Sequence, residues 1–296
     1  AYNGDTEKWI KAANGLRLRL ASRLWKRKPE VAKSIATEVL APANAEYVFS
    51  DNDDSFILWF DKLYTNIHTG DWHSVRDMEI ATYAIMDYLT RNEDPRKKVF
   101  FYRNNLTPEN IAAYNALPDN AARQIPVGTT RWEGSTAVYD KLANDVNRLS
   151  RSLKLSDGTS VNMRIANYPQ ARLWKGNDND GNGGNWAPIM TYADFCLLSA
   201  EFVLRENIAS SKTAQEWYED GVEASIDLWD FLGTYCDVLY YEAMTDAEKT
   251  AFLTQPDIAW AGTQAEQLDQ IYAQTYIEHY KNADEAWAFW KRTGYP

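Results

Sequence analysis

A chain of 296 residues with 31 Lys and Arg against 42 Asp and Glu carries a formal charge of −11, which argues against a nucleic-acid partner, because holding phosphate backbones rests on a basic face. At this length about three quarters of the unfolded surface can be buried without staples, and two cysteines, Cys196 and Cys236, are too few for a disulfide scaffold or a four-thiolate zinc site. No apolar run approaches the roughly 20 residues that span a bilayer, and 14 glycines are few for an all-β chain of this size.

In chain order, Ala1-Tyr2-Asn3-Gly4-Asp5 leads straight into a helical pattern without initiator Met or signal peptide, and the chain stops at Gly294-Tyr295-Pro296 after another helix. It reads as an internal segment of a longer precursor, with any lipidated Cys upstream. The first helix is expected from about Asp5 to Lys28, with Trp9, Ala13, Leu16, Leu20 and Leu24 striping one face. That face is expected to meet chain outside this segment and to stand exposed without it. Pro29 ends this helix and opens a second through about Leu40. An Asp- and Asn-rich loop (Ser50–Ser55) and an aromatic stretch (Phe56–Tyr64) precede a helix over about Ser74–Arg91.

From Asn92 to about Asn185 the pattern loosens: a turn at Asp94-Pro95-Arg96, an extended segment at Lys98–Tyr102, a small helix from Thr107, and a longer one over Ser135–Leu149. Turns follow at Pro126-Val127-Gly128 and Ser156-Asp157-Gly158, and Gly176–Asn185 is a loop. Helices then resume at about Pro188–Asn207, Thr213–Phe231, Thr245–Leu253, Thr263–Asn282 and Ala283–Arg292. The fold class is mostly α. The helix pairs are similar to tetratricopeptide-style hairpins, though without a clean repeat period. We read one domain: a helical scaffold (1–91 and 188–296) around an irregular region (92–187) long enough to carry function.

Few motifs carry chemistry. Asp178-Asn179-Asp180-Gly181-Asn182-Gly183 fits the opening half of an EF-hand loop, but the closing carboxylate position is Ile189. An irregular Ca2+ site at Asp178, Asp180 and Asn182 stands beside the plainer reading of a solvated loop. The carboxylates of Ser50–Asp54 are adjacent rather than a helical turn apart, which suits capping better than metal catalysis. The histidines (His68, His73, His279) show no metal-protease spacing, and neither a nucleophile elbow nor a phosphate-binding loop is present. Cys196 sits on an apolar helix face as a small buried hydrophobe, and no catalytic residue is assigned.

Pro188-Ile189-Met190-Thr191-Tyr192-Ala193-Asp194 with Leu197-Leu198-Ser199-Ala200-Glu201 resembles a segment of the SusD/RagB-like family. Tyr2-Asn3-Gly4-Asp5 with Lys8-Trp9, and Ala13-Asn14 with Leu16-Arg17-Leu18-Arg19, are similar to its first helix. Asp94-Pro95-Arg96 resembles its turn, and Glu285-Ala286-Trp287 with Arg292-Thr293-Gly294-Tyr295-Pro296 its closing helix. Departures are Gly15 for Ser, Asp194 for Glu, Lys291 for Arg, and Gln274-Thr275-Tyr276 for a Gln-Lys-Trp. The resemblance implies a tetratricopeptide-like scaffold capped by ligand-binding loops, in a cell-surface, lipid-anchored nutrient-binding protein of the Bacteroidetes outer membrane. It also implies an oligosaccharide or other nutrient as ligand, delivery to a SusC-like TonB-dependent transporter, no cofactor, and no catalytic residues. Family members extend beyond this segment at both ends.

Ligand residues do not transfer between members, so the site is chosen from chemistry. Sugar rings stack on aromatic faces, and amides, carboxylates and Arg bind the hydroxyls. With 12 Trp and 18 Tyr in the chain, the irregular region offers Arg131 with Trp132, Arg172 with Trp174, and Asn177 and Asn185 with Trp186. Trp72 and His73 form a second loop group. Trp9, Trp217, Trp229 and Trp287 fall in helices and are expected in the core. The alternatives are an all-α glycan hydrolase, which needs two carboxylates about 5–10 Å apart, and a helical-repeat scaffold that binds protein.

Overall fold

The computed structural model describes residues 2–60, 81–122, 124–128, 130–136, 150–154, 158–175 and 181–296. Trp72, His73, Asn177, Asp178 and Asp180 lie outside them, as do His68, the start of the helix expected at Ser74, and the body of the one expected over Ser135–Leu149. The chain forms two compact units: Ala1–Phe60 with Trp186–Phe231 and Leu253–Pro296, and Asp61–Asn185 with Leu232–Phe252.

The first unit is helical. Asp5 accepts hydrogen bonds from the Glu7 and Lys8 N–H groups and starts α1 (Thr6–Leu24), and Pro29 opens α2 (Pro29–Leu40) as its first helical residue. These two form a hairpin packed against α6 (Tyr192–Glu206). On its other side α6 meets α9 (Gln264–Glu278), which starts in a reciprocal Thr263–Glu266 capping box. Also in this unit are most of α7 (Ala214–Tyr235) and α10 (Ala283–Thr293). β1 (Phe56–Phe60) pairs with β4 (Asn185–Met190).

One expectation is corrected here and another is met. Residues 188–190, expected to open a helix, instead close the strand Asn185–Met190, because Pro188 holds its predecessor extended; the helix begins only where the Thr191 hydroxyl accepts the Asp194 N–H at 3.0 Å. The face of α1 that packs inward carries Ala12, Gly15, Leu18, Ala21 and Ser22. A Cβ on Gly15 would lie 3.0 Å from the Met190 sulfur, so the close approach of the neighbours selects small residues on that face. The larger stripe is left largely exposed, as expected, with Leu20 65% exposed and Leu16 and Leu24 half-buried.

Charged residues are buried along α6, each with partners. Arg19 of α1 pairs with Asp194 and donates to the Ile189 carbonyl, and His279 lies 3.2 Å from the same carboxylate. Glu201 receives both Arg292 Nη atoms at 2.6 and 2.7 Å, and Tyr272 Oη at 2.9 Å. Glu285 of α10 pairs with Arg23. The motif residues of the first helix, of α6 and of α10 thus meet in one network. At its centre is a cavity of about 20 Å³, room for about one water.

In the second unit the described helices are α3 (Tyr83–Arg91), α4 (Lys97–Phe100), α5 (Pro108–Asn115) and most of α8 (Asp246–Leu253). β2 (Ser150–Lys154) and β3 (Ser160–Arg164) are antiparallel, with Ser150 opposite Arg164. Leu106, Ile111, Tyr114, Ile125, Leu153 and Ile165 form its apolar core. Lys98–Tyr102 is corrected from extended to a helical turn that ends at Phe100. Asp94 is the cause: its carboxylate accepts the Arg96 N–H at 2.9 Å and also holds the Arg96 guanidinium, both residues being fully buried. This is the motif turn, closed by Arg96 over the Phe252 ring at 5.2 Å.

Candidate ligand-binding site

The second unit contains a cavity of about 250 Å³. Its walls come from Lys98 of α4, from irregular backbone at 101–105, 131–132 and 170, and from the segment after α7. Backbone hydrogen bonds join those stretches, among them Tyr102 N–H to the Tyr168 carbonyl and Gln170 N–H to the Phe100 carbonyl, both at 2.8 Å, and two buried asparagines reinforce them. Asn167 donates to the Tyr102 and Arg131 carbonyls at 2.5 and 3.0 Å and accepts the Glu133 N–H at 2.5 Å. Asn104 donates to the Thr130 and Ile165 carbonyls at 3.2 and 2.9 Å. Gly134 permits the crossing beneath, because a Cβ there would lie 2.7 Å from the Tyr83 Cα and 2.8 Å from the Thr82 carbonyl.

On this frame the half-buried Trp132 faces the cavity, with Lys97 Nζ over its ring at 5.9 Å. Opposite chemistry is supplied by Gln170, almost fully buried, whose Oε1 has no hydrogen-bond partner among the described residues. Arg131 is oriented by its Nε donating to the Asn104 carbonyl at 2.9 Å. Burial and the neighbouring Arg103 push the Arg131 guanidinium below its ordinary value. Tyr240 stands on the rim, 90% exposed, with φ +58°. A tyrosine in the left-handed region is uncommon, and such residues gather at ligand sites.

The segment bearing Tyr240 leaves α7 through a Schellman turn: the Val238 N–H reaches the Gly233 carbonyl at 2.9 Å and the Asp237 N–H the Thr234 carbonyl at 3.0 Å. Asp237, at φ +52°, occupies the position where glycine is usual. Its side chain explains the exception. The carboxylate accepts Arg172 Nη1 at 2.9 Å and the Asn182 N–H at 3.0 Å, and the Asp237 carbonyl accepts Arg172 as well.

The sequence candidates therefore separate. Arg131 and Trp132 line the cavity. Arg172 is engaged with Asp237. Trp174 is buried and its carbonyl accepts the amide of the fully buried Asn185 at 2.8 Å. Trp186 belongs to the helical unit, 1% exposed, edge-on to Trp229 at 5.3 Å. Of the proposed calcium ligands only Asn182 is described, its N–H bound to Asp237. Asp54, in the other acidic loop, is occupied by Lys11 at 2.7 Å and by the Ser50 N–H and hydroxyl, both at 2.8 Å. Sequence reasoning missed Lys98, Tyr102, Arg103, Gln170, Tyr240 and Glu242. Tyr240-Tyr241, in the gap between two expected helices, was the available signal.

A family model described as "Starch-binding associating with outer membrane" matches residues 1–296. The chain belongs to the SusD-like family. Among solved structures it is similar to a chitin-binding protein at 27% identity and a TM-score of 0.68, over 100% of this chain and 54% of that one. It also resembles a chitin-binding SusD homolog from Flavobacterium johnsoniae (23%, TM-score 0.57, 100% and 53%). A SusD homolog from Bacteroides fragilis shares the fold at 15% identity (TM-score 0.64, 98% and 55%). The chain thus spans about half the length of these structures. No curated protein matches it. The SusD-like motif residues sit in the helical network and in the Asp94–Arg96 turn, and none of them lines the cavity.

Proposed function

We propose that this chain is the ligand-capturing part of a glycan-binding protein at the outer-membrane surface, lipid-anchored in the whole protein. It holds an oligosaccharide in the cavity of the second unit for a SusC-like TonB-dependent transporter. The observation that carries this reading is the cavity itself. Trp132 and Tyr240 offer flat apolar faces, and Arg131, Gln170 and Asn105 stand beside them for hydroxyls. The family description and the chitin-binding neighbours support glycan as the ligand class. Capture proceeds without turnover. In support, the described cavity lining holds one carboxylate, Glu242, where glycoside hydrolysis uses a pair.

The test is a glycan array followed by calorimetry on the best ligand, with Trp132→Ala and Tyr240→Ala alongside and chromatography for products. Each variant is expected to lose about tenfold or more in affinity while keeping its thermal midpoint, because both side chains are partly or fully exposed. Affinity equal to wild type in both variants would remove the cavity from consideration. Released product would establish the hydrolase instead. Delivery is tested by co-purification of the whole protein with its transporter.

A further inference from the structure

In a chain of net charge −11, the cavity gathers cations. Lys98, Arg103 and Arg131 line it, and Lys97 sits over the Trp132 ring. Lys98 is neutralised by Glu248 at 2.9 Å. Lys97 feels the charges of Asp94, Glu93 and Glu248, whereas among the described residues no carboxylate forms an ion pair with Arg103 or Arg131. Among the described residues Arg131 donates through Nε alone, which leaves its outer nitrogens for a second partner. Glu242 also lines the cavity, without an ion pair to either arginine.

Two guanidinium groups at one partly buried site repel each other, and a bound anion relieves that repulsion. The planar fork of Arg matches a carboxylate or sulfate with two parallel hydrogen bonds. Trp132 supplies the apolar face that a sugar ring needs next to that anion. Resting on the glycan-binding reading above, we propose that the cavity selects an acidic oligosaccharide, its carboxylate or sulfate held between Arg103 and Arg131 and a ring stacked on Trp132. This distinguishes the chain from a receptor for an uncharged glycan such as chitin.

The deciding measurement is calorimetry of the wild type with oligogalacturonides and with their methyl esters, which keep ring and linkage and lose the charge. A chondroitin sulfate oligosaccharide serves as the sulfate arm and a chito-oligosaccharide as the neutral arm. An acidic ligand, carboxylated or sulfated, is expected to bind at least tenfold more tightly than the neutral ones. The preference should shrink at 0.5 M salt and disappear in Arg131→Gln and Arg103→Gln, whereas Trp132→Ala weakens every ligand. Arg103 is exposed and makes no described hydrogen bond, so Arg103→Gln carries the test if Arg131→Gln fails to fold. Equal affinity for acid and ester, or neutral binding indifferent to both Arg variants, would overturn the acidic assignment and leave the glycan site standing. Failure of every glycan in the array would overturn both.

Discussion

At the residue scale, the site depends on side chains that a ligand does not touch. Asn167 is 1% exposed and spends its whole amide on the backbone of two other segments. Removing the amide takes one hydrogen bond each from the Tyr102 and Arg131 carbonyls and the Glu133 N–H, at a cost of about 3 kcal/mol. Asn167→Ala is therefore expected to lower the urea midpoint and to abolish glycan binding although residue 167 does not line the cavity; wild-type affinity in a folded variant would contradict the framework role. The tryptophans divide on the same principle. Trp217 and Trp229 are core as expected, but Trp9 and Trp287 are 43% and 60% exposed. Trp287 stacks loosely with Trp290 under Lys291 on the outer side of α10. Helical position alone did not decide burial, because a helix has two faces and only its neighbours choose between them.

At the scale of elements, the helical unit is fastened by ion pairs that cross from helix to helix. Glu201 on α6 is 1% exposed and shared by Arg292, Arg205 and Tyr272. The burial and the Glu201 charge push the Tyr272 phenol up to about 12. Breaking such a pair strands a buried charge, which costs about 3–5 kcal/mol. Glu201→Gln should lose that amount in chemical denaturation, while a paired Glu201→Leu and Arg292→Met replacement should lose much less; a loss below about 1 kcal/mol for the single variant would show that the pair is dispensable. The family resemblance is carried by these fasteners. Arg19, Asp194, Glu201, Glu285 and Arg292 belong to three separated motif stretches, and the structure brings them around one small cavity. What the motifs encode is the attachment of helices, which explains why they identify the family without indicating the ligand.

For the whole molecule, the buried carboxylates set the response to acid. Burial alone would raise the Asp194 carboxyl, but Arg19 and His279 outweigh it and hold it well below the usual range. Burial likewise opposes ionisation of Asp54, and Lys11 and Ser50 overcome it. A carboxyl that binds its proton less readily folded than unfolded contributes stability above the unfolded value, about 3.9 for Asp, and loses it as pH falls. The urea midpoint should hold from pH 7 to about 5 and drop steadily below about 4. A flat profile down to pH 2.5 would show that these pairs do not contribute.

The helices were legible because their signals are local. Asp5, Thr107, Thr191, Thr263 and Asn282 each accept an N–H in the first turn that follows, and a cap needs only its own neighbours. The mostly α class and the family followed from those signals and from the motif stretches. The separation of cavity-lining tryptophans from core tryptophans was not legible. Trp132 and Trp186 read alike in sequence, each beside a polar partner in an irregular stretch, yet one faces a cavity and the other is closed against Trp229. The cavity is assembled from residues about 140 positions apart, Lys98 to Glu242, by asparagine amides that bind backbone and leave no periodic trace. Local chemistry, capping and helix punctuation, was written in the sequence alone. Which faces are covered, and which charged groups meet, was decided only when distant segments packed, because burial and electrostatic pairing are properties of neighbours in space.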